Sequence, residues 1–236
     1  MSSHKTSRRR FLQGGAALGA VSMLLPAGQF AVAAEPKRKT PTAQYAGTYE
    51  FRVGEVAGYV ISDGWFDISP IQPAWAPEAT EQELNEAMRR NFLPPDSAKL
   101  EFNVVLLKMN GKHVLIDTGS GSLFGDAGGR LRKRLALLGV WPWDIDVVVL
   151  THAHVDHLGG LLDENDEPIF GKAEYYISKP EFDFWTAGNP EYAEIRLPRE
   201  QVEEMDALAK RVLGALDKRW NKIDPNAEIL PGLTAV

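Results

Sequence analysis

Three histidines and one aspartate, His152, His154, Asp156 and His157, lie in the stretch Thr-His-Ala-His-Val-Asp-His-Leu-Gly-Gly. Neutral imidazole nitrogens and carboxylate oxygens are ligands that suit zinc and similar divalent ions. Four such donors within six residues can reach one ion or two adjacent ions. A single histidine on a loop is usually solvated, but three placed together are costly to bury unless a metal or acids compensate. The stretch, called the metal loop below (residues 151–160), therefore predicts a metal site.

The segments on either side of the metal loop indicate how it is positioned. Residues 145–150 form an apolar run rich in β-branched side chains, which is typical of a buried strand. After the loop, Leu158, two glycines, Leu161 and Leu162 favour the start of a helix. We therefore expect the four donors on a loop at the C-terminal end of a buried strand, where α/β architectures usually place their chemistry.

Hydrophobic periodicity and turn signals predict the surrounding elements. Strands are expected over residues 49–53, 58–62, 102–108, 112–117 and 175–178, and helices over residues 80–92, 130–138, 180–185 and 200–216. Asp63-Gly64 is predicted to form a turn and Asn110-Gly111 a tight hairpin. Thr80 and Glu83 match the capping-box pattern at a helix start.

The pattern His-x-His-x-Asp-His after a hydrophobic strand resembles that of the metallo-β-lactamase-fold hydrolases. The run Val-Leu-Ile-Asp-Thr-Gly at residues 114–119 resembles a second signature of that superfamily. The resemblance extends from about Tyr59 to the end of the chain. It is closest to the exported branch that includes methyl parathion hydrolase and related lactonases, through Ser62-Asp63-Gly64 and residues 175–185.

This resemblance implies an α+β fold, the αββα sandwich, with two zinc ions. His152 and His154 would hold one ion, and Asp156 and His157 the other. Asp156 is assigned a catalytic role, as a ligand that also orients a hydroxide shared by the metals. Asp117 is expected beneath the loop, hydrogen-bonded to a ligand histidine, because such a carboxylate fixes the histidine tautomer. The implied activity is zinc-dependent hydrolysis of an ester, lactone or phosphotriester by a metal-bound hydroxide, since zinc lowers the pKa of bound water to about 7.

Family members continue into a second half that carries a further histidine for each metal and a bridging aspartate. No histidine follows His157 here, so the sequence is expected to represent the N-terminal half of the sandwich and part of its middle. Two alternatives to the hydrolase stay open. One is a truncated or catalytically silent metal-binding protein of the same fold. The other is a chain completed by a partner or by a second copy, as a homodimer, because a half-sandwich exposes an apolar face.

The composition of the chain argues against several kinds of binding site and partner. The 236 residues suit one domain with a sizeable core. With no cysteine, disulfides and thiolate metal sites are excluded. The glycines after Gly119 do not follow phosphate-loop spacing, so nucleotide binding is not expected. A formal charge of −6 argues against nucleic-acid binding, and no apolar run reaches transmembrane length.

The first residues have the order of an export signal. Residues 7–12, Ser-Arg-Arg-Arg-Phe-Leu, resemble a twin-arginine signal, and a short apolar run leads to Ala31-Val32-Ala33 as the cleavage pattern. We expect a signal peptide over residues 1–33, a flexible linker over 34–48 and a metallo-β-lactamase-like domain over 49–236, located in the periplasm or secreted. The alternatives for the first segment are a disordered basic arm or a short membrane anchor.

Replacing Arg8 and Arg9 with lysine is expected to trap the precursor in the cytoplasm, because the twin-arginine route reads the arginine pair. The measurement is immunoblotting of cytoplasmic and periplasmic fractions for the precursor and the shorter mature chain. Lys37→Arg and Lys39→Arg, beyond the cleavage pattern, form the control and should be exported normally. Normal export of the R8K/R9K variant would remove the twin-arginine interpretation.

Overall fold

The computed structural model describes residues 47–73, 75–188, 192 and 197–236. The predicted signal peptide and nearly all of the predicted linker lie outside these residues. Within them the chain forms strands and helices in the order β1 Thr48–Val53, β2 Val56–Ile68, α1 Glu81–Arg90, β3 Ala98–Met109, β4 Lys112–Ile116, α2 Leu131–Leu137, β5 Val147–Leu150, α3 Val155–Leu158, β6 Glu174–Ser178, α4 Lys179–Thr186, α5 Arg199–Ala215, β7 Trp220–Ile223, β8 Glu228–Leu230 and β9 Leu233–Thr234.

A seven-stranded sheet with strand order β1-β2-β3-β4-β5-β6-β7 organises the described residues. Strands β1 to β4 are paired antiparallel, and β4 to β7 are paired parallel. The hairpin predicted at Asn110-Gly111 is confirmed between β3 and β4, with Asn110 and Gly111 both at positive φ. Strands β8 and β9 form a separate two-stranded sheet. The α+β class expected from the sequence is therefore confirmed.

The two faces of the large sheet bury different sets of residues. Because neighbouring strand residues point to opposite faces, Leu115 and Val114 on β4 belong to different clusters. Leu115 packs in the main core with buried side chains of α2, α4 and α5. Val114 packs with Val147 and with Ile229 of β8. Helices thus cover one face of the sheet, and the C-terminal hairpin covers part of the other.

The helix predicted over residues 80–92 is confirmed in position, with small differences at its end. Thr80 caps α1, and the reciprocal bonds of a capping box with Glu83 are present. Leu84 and Met88 are buried on the predicted apolar face. Phe92 was expected on that face, but the helix ends at Arg90 and Phe92 turns outward at φ 58 and 97% exposed. None of the described helices combines the length and apolar character needed to cross a membrane.

The turn predicted at Asp63-Gly64 is wrong. Strand β2 runs through this dipeptide for 13 residues and absorbs it as an irregularity in its pairing with β3 between Ser62 and Gly64. The reason is the environment of Asp63, whose carboxylate is fully buried. Its Oδ2 accepts hydrogen bonds from Ser120 N at 2.8 Å, Ser120 Oγ at 2.7 Å and Gly129 N at 3.1 Å, and its Oδ1 accepts from Leu131 N at 2.8 Å. Asp63 therefore fixes the loop between β4 and α2 and caps the start of α2.

Asp63→Asn is expected to lower the free energy of unfolding by about 2 to 4 kcal/mol, because backbone N–H donors face both oxygens and an amide NH₂ group must oppose at least one of them. The measurement is chemical denaturation followed by tryptophan fluorescence. Asp67→Asn is the matched control on the same strand, since the Asp67 side chain is 71% exposed in its ion pair with Lys99. The control should cost less than about 0.5 kcal/mol. Equal stabilities for the two variants would contradict this role of Asp63.

Candidate metal centre

The metal loop begins where two adjacent parallel strands end. Val149 of β5 pairs with Ile116 of β4, and the chain leaves the sheet immediately after each strand. Asp117, directly after β4, donates its N–H to Val149 O at 2.8 Å. The carboxyl end of β4 and the metal loop after β5 therefore meet at one edge of the sheet, as predicted for a strand-end site.

A one-turn helix lies within the metal loop itself. The helix predicted to open at Leu158 is wrong, because α3 spans Val155–Leu158 and ends at Gly159. The two glycines pack against backbone instead of starting a helix. A Cβ on Gly159 would lie 2.4 Å from Ser120 O, and one on Gly160 would lie 2.1 Å from Thr118 O. Asp156 and His157 are therefore carried on α3, whereas His152 and His154 lie on the extended segment before it.

The four predicted donors are close together and form two pairs. His152 Nε2 lies 3.1 Å from His154 Nδ1, and His157 Nε2 lies 3.3 Å from Asp156 Oδ2. The imidazole rings of His152 and His157 have centroids 3.9 Å apart, so the pairs adjoin. Two nitrogens bound to one tetrahedral zinc ion lie about 3.3 Å apart, given zinc–nitrogen bonds of about 2.0–2.1 Å. The spacing within each pair thus suits a shared ion.

The pairs do not amount to a closed ligand set. Among residues 47–73, 75–188, 192 and 197–236, no group of three or more histidine, aspartate or glutamate side chains is arranged to hold a metal ion. Catalytic zinc sites normally take three protein ligands, so each pair lacks at least one. The roles of His152, His154, Asp156 and His157 as metal ligands stay a prediction, as does the catalytic role of Asp156.

Asp117 lies beneath the loop with the hydrogen bond expected of it. Its buried carboxylate receives His157 Nδ1 at 2.8 Å, Thr151 N at 2.8 Å and Thr151 Oγ1 at 2.9 Å. Since a carboxylate only accepts, the His157 contact places a proton on Nδ1. In the neutral ring Nε2 then keeps its lone pair, and this nitrogen faces Asp156. Asp117 thus selects the tautomer of His157 that can bind a metal through Nε2.

Charges within the cluster shift three pKa values in different directions. Burial lowers the pKa of His152, and the neighbouring His157 and His154 lower it further, which favours the neutral ring that binds metals. Burial also opposes the charge on His157, but hydrogen bonds to the Asp117 and Asp156 carboxylates outweigh it and raise its pKa to about 9. Burial acts to raise the pKa of Asp156, but the hydrogen bond to His157 and the charges of His157 and His154 together lower it below its usual value. A metal bound at His157 would take the place of a proton.

Thr151 and Glu181, which the sequence motifs did not single out, also take part in the hydrogen bonds of the site. Thr151 links the Asp117 carboxylate to the histidines, with its Oγ1 3.1 Å from His152 Nδ1. Glu181, on α4, accepts the backbone N–H of Ala153 at 2.8 Å. The only local signal for Thr151 was its place at the start of the motif, and no periodic signal marks a contact between Glu181 and a residue 28 positions earlier.

A family model described as the metallo-beta-lactamase superfamily matches residues 102–210, which include Asp117 and the whole metal loop. A solved chain described as AidC, a dizinc quorum-quenching lactonase in complex with a product, aligns with 78% of this chain at 27% identity and a TM-score of 0.72. The resemblance to the metallo-beta-lactamase superfamily that the sequence motifs indicated is thereby confirmed over residues 102–210. The metal loop and Asp117 therefore stand in the superfamily's fold, as the resemblance implied.

Curated relatives match this chain over shorter stretches. It is 40% identical over 58 residues to a ribonuclease Z of Methanopyrus kandleri, covering 25% of this chain and 18% of that protein. It is 48% identical over 52 residues to a probable metallo-hydrolase of Methanocaldococcus jannaschii, covering 22% and 23% of the two chains. The AidC alignment covers 64% of that chain. The chain thus spans less than two thirds of the length of each protein.

Asp117→Asn is expected to weaken zinc binding by about 10- to 100-fold. The neutral amide replaces the charged carboxylate that accepts the hydrogen bond from His157 Nδ1, so it holds His157 less firmly in the tautomer that binds through Nε2. The measurement is competition for zinc with a chromophoric chelator at constant pH. The exposed-site variant Asp67→Asn is the control and should bind zinc as the unmodified protein does. Equal zinc affinity in D117N and D67N would show that Asp117 does not support a metal ligand.

Proposed function

We propose that this protein is a zinc-dependent hydrolase of an ester, lactone or phosphotriester, in the lactonase-like branch of its superfamily. The observation that carries the proposal is the arrangement of His152 with His154 and of Asp156 with His157. Each pair has the spacing of two ligands to one ion, and the two pairs adjoin. The likeness to a dizinc lactonase and to a probable metallo-hydrolase supports the same chemistry.

The donor set fits zinc in chemistry as well as in spacing. Imidazole and carboxylate are common zinc ligands, and the lowered pKa of His152 keeps that ring in its binding form near neutral pH. When bound, zinc lowers the pKa of water to about 7 and polarises the bond to be cleaved. We propose that the further ligand each pair requires comes from outside the metal loop.

The chain's own residues have distinct roles in this proposal. His152 and His154 hold one position, and His157 holds the second through Nε2. Asp117 keeps the proton of His157 on Nδ1 and so keeps Nε2 free to bind. Asp156 faces His157 Nε2 at 3.3 Å, where its carboxylate can act as a ligand and can accept a hydrogen bond from the attacking water. That hydrogen bond would orient the water toward the substrate.

A second candidate is a catalytically silent metal-binding protein of the same fold. It is favoured by the two-member donor pairs, since no described group of three donors is arranged around one point. Two protein ligands would leave an ion mostly hydrated and would control the position of a nucleophile poorly. Metal binding without turnover would select this candidate.

A nucleic-acid substrate is not proposed. The likeness to ribonuclease Z covers 58 residues, and the formal charge of −6 disfavours binding to a polyphosphate backbone. We propose small-molecule substrates instead. We further propose that the mature protein acts in the periplasm or outside the cell, on the strength of the twin-arginine pattern at Arg8 and Arg9.

Hydrolysis of a lactone, an aryl ester and an aryl phosphotriester by the zinc-loaded full-length protein is expected to stop after chelation and to return when zinc is restored. His152→Ala and Asp156→Ala should each lower kcat/KM by several orders of magnitude, on the order of a thousandfold or more, because each removes a ligand of the site that activates water. The measurement is initial rate against metal content for each variant.

His113→Ala is the matched control, since His113 lies on β4 away from the loop and contacts Asp144 O through Nδ1 at 3.1 Å. Its rate should equal that of the unmodified protein within about twofold. Activity that persists after zinc is shown to be absent from the sample would contradict the metal mechanism.

A further inference from the structure

The first turn of α4 lies against the metal loop through one carboxylate. Glu181 Oε1 accepts two hydrogen bonds, from Ala153 N at 2.8 Å and from Trp185 Nε1 at 2.6 Å. Ala153 is the residue between His152 and His154, and its side chain is 2% exposed within the main core. The peptide between the two histidines is therefore held from two sides, by packing of the methyl group and by the Glu181 carboxylate.

Glu181 is itself held in a fixed position. Its N–H donates to Ser178 Oγ at 3.3 Å, and Ser178 is both the last residue of β6 and the N-cap of α4. Trp185, one helical turn later on the same face, is 4% exposed and keeps the Glu181 side chain directed toward the loop. The Trp185 ring also meets the His154 ring edge-on, with centroids 6.0 Å apart.

We propose that Glu181 is a positioning residue that fixes the Ala153 peptide and thereby sets the distance and direction of the His152 and His154 imidazoles as a metal-binding pair. This inference rests on the proposed function in taking the two histidines as ligands of one ion. The two histidines and Ala153 lie between the end of β5 at Leu150 and the start of α3 at Val155, so the hydrogen bond to Glu181 fixes a peptide that no strand ladder or helix holds. Preorganised ligands of this kind bind a metal without a cost of reordering.

The geometry of this contact allows the positioning effect of Glu181 to be distinguished from the effect of its charge. Both donors bind the same oxygen, Oε1, and a glutamine side chain carries the same acceptor in the same place. Glu181→Gln should therefore preserve the position of Ala153, whereas Glu181→Ala removes the acceptor. Asp183→Ala is the control on the same helix, because the Asp183 side chain is 52% exposed and pairs only with Lys179 among the ion pairs of the described residues.

The experiment uses the full chain, freed of metal and titrated with cobalt(II), whose visible absorption reports ligand number and geometry. The Glu181→Ala variant should bind cobalt about 10- to 100-fold more weakly, with an altered visible band. Glu181→Gln and Asp183→Ala should match the unmodified protein in affinity within about threefold and in band shape. Titrations are run well below the melting temperature of each variant, so that global unfolding does not enter.

Hydrogen exchange of the Ala153 amide in the metal-free proteins is the second readout. Glu181→Ala should speed this exchange about tenfold or more, and Glu181→Gln should not. The proposal is overturned if Glu181→Ala keeps the cobalt affinity and spectrum, even with a lower melting temperature, or if Glu181→Gln is as defective as Glu181→Ala. If the unmodified chain binds no cobalt, the proposed function fails, and unchanged Ala153 exchange in Glu181→Ala separately overturns the positioning contact.

Discussion

The metal loop depends on the hydrogen bonds that the Asp117 carboxylate accepts from Thr151 and His157. Asp117 leaves β4 at φ 65, a conformation that L-residues seldom adopt, and donates its own N–H to Val149 O of the neighbouring strand. From there its oxygens receive the backbone and hydroxyl of Thr151 and the ring of His157. The Asp117 side chain thus joins the ends of two parallel strands directly to His157 and, through the Thr151 hydroxyl, to His152.

Three carboxylates near this edge of the sheet each accept a hydrogen bond from a backbone N–H group of a loop. Backbone N–H groups of residues beyond the strand ends no longer have a partner in the sheet. A buried N–H group without an acceptor lowers the stability of the fold, so these groups need other acceptors. Asp63 supplies them to the loop after β4, Asp117 to Thr151 and Glu181 to Ala153. The loop that follows Asp117 also packs directly on the Asp63 carboxylate, because a Cβ on Gly119 would lie 2.4 Å from Asp63 Cγ. The carboxylates that stabilise the loops therefore also help to fix the geometry of the site.

Local signals in the sequence predicted local structure well. Thr80 and Glu83 satisfy each other within one turn, Asn110-Gly111 closes a hairpin between adjacent strands, and the apolar run before Thr151 forms a buried strand. The predictions from sequence were wrong where contacts with residues distant in the sequence determine the local structure. Asp63-Gly64 has the composition of a turn, but its carboxylate is bound by groups 57 to 68 positions away, so the strand continues. Likewise the glycines after Leu158 serve close backbone contact with residues near Gly119, which periodicity does not reveal.

We propose that the two donor pairs are the metal ligands and that Asp117 sets the binding nitrogen of His157. Anomalous diffraction at the zinc edge, from crystals of the zinc-loaded full-length protein, tests it most directly. We expect one zinc peak bound by His152 and His154 and a second bound by Asp156 and His157 Nε2, with His157 Nδ1 still hydrogen-bonded to Asp117. Zinc bound elsewhere, or bound to His157 through Nδ1 with the Asp117 contact broken, would contradict it.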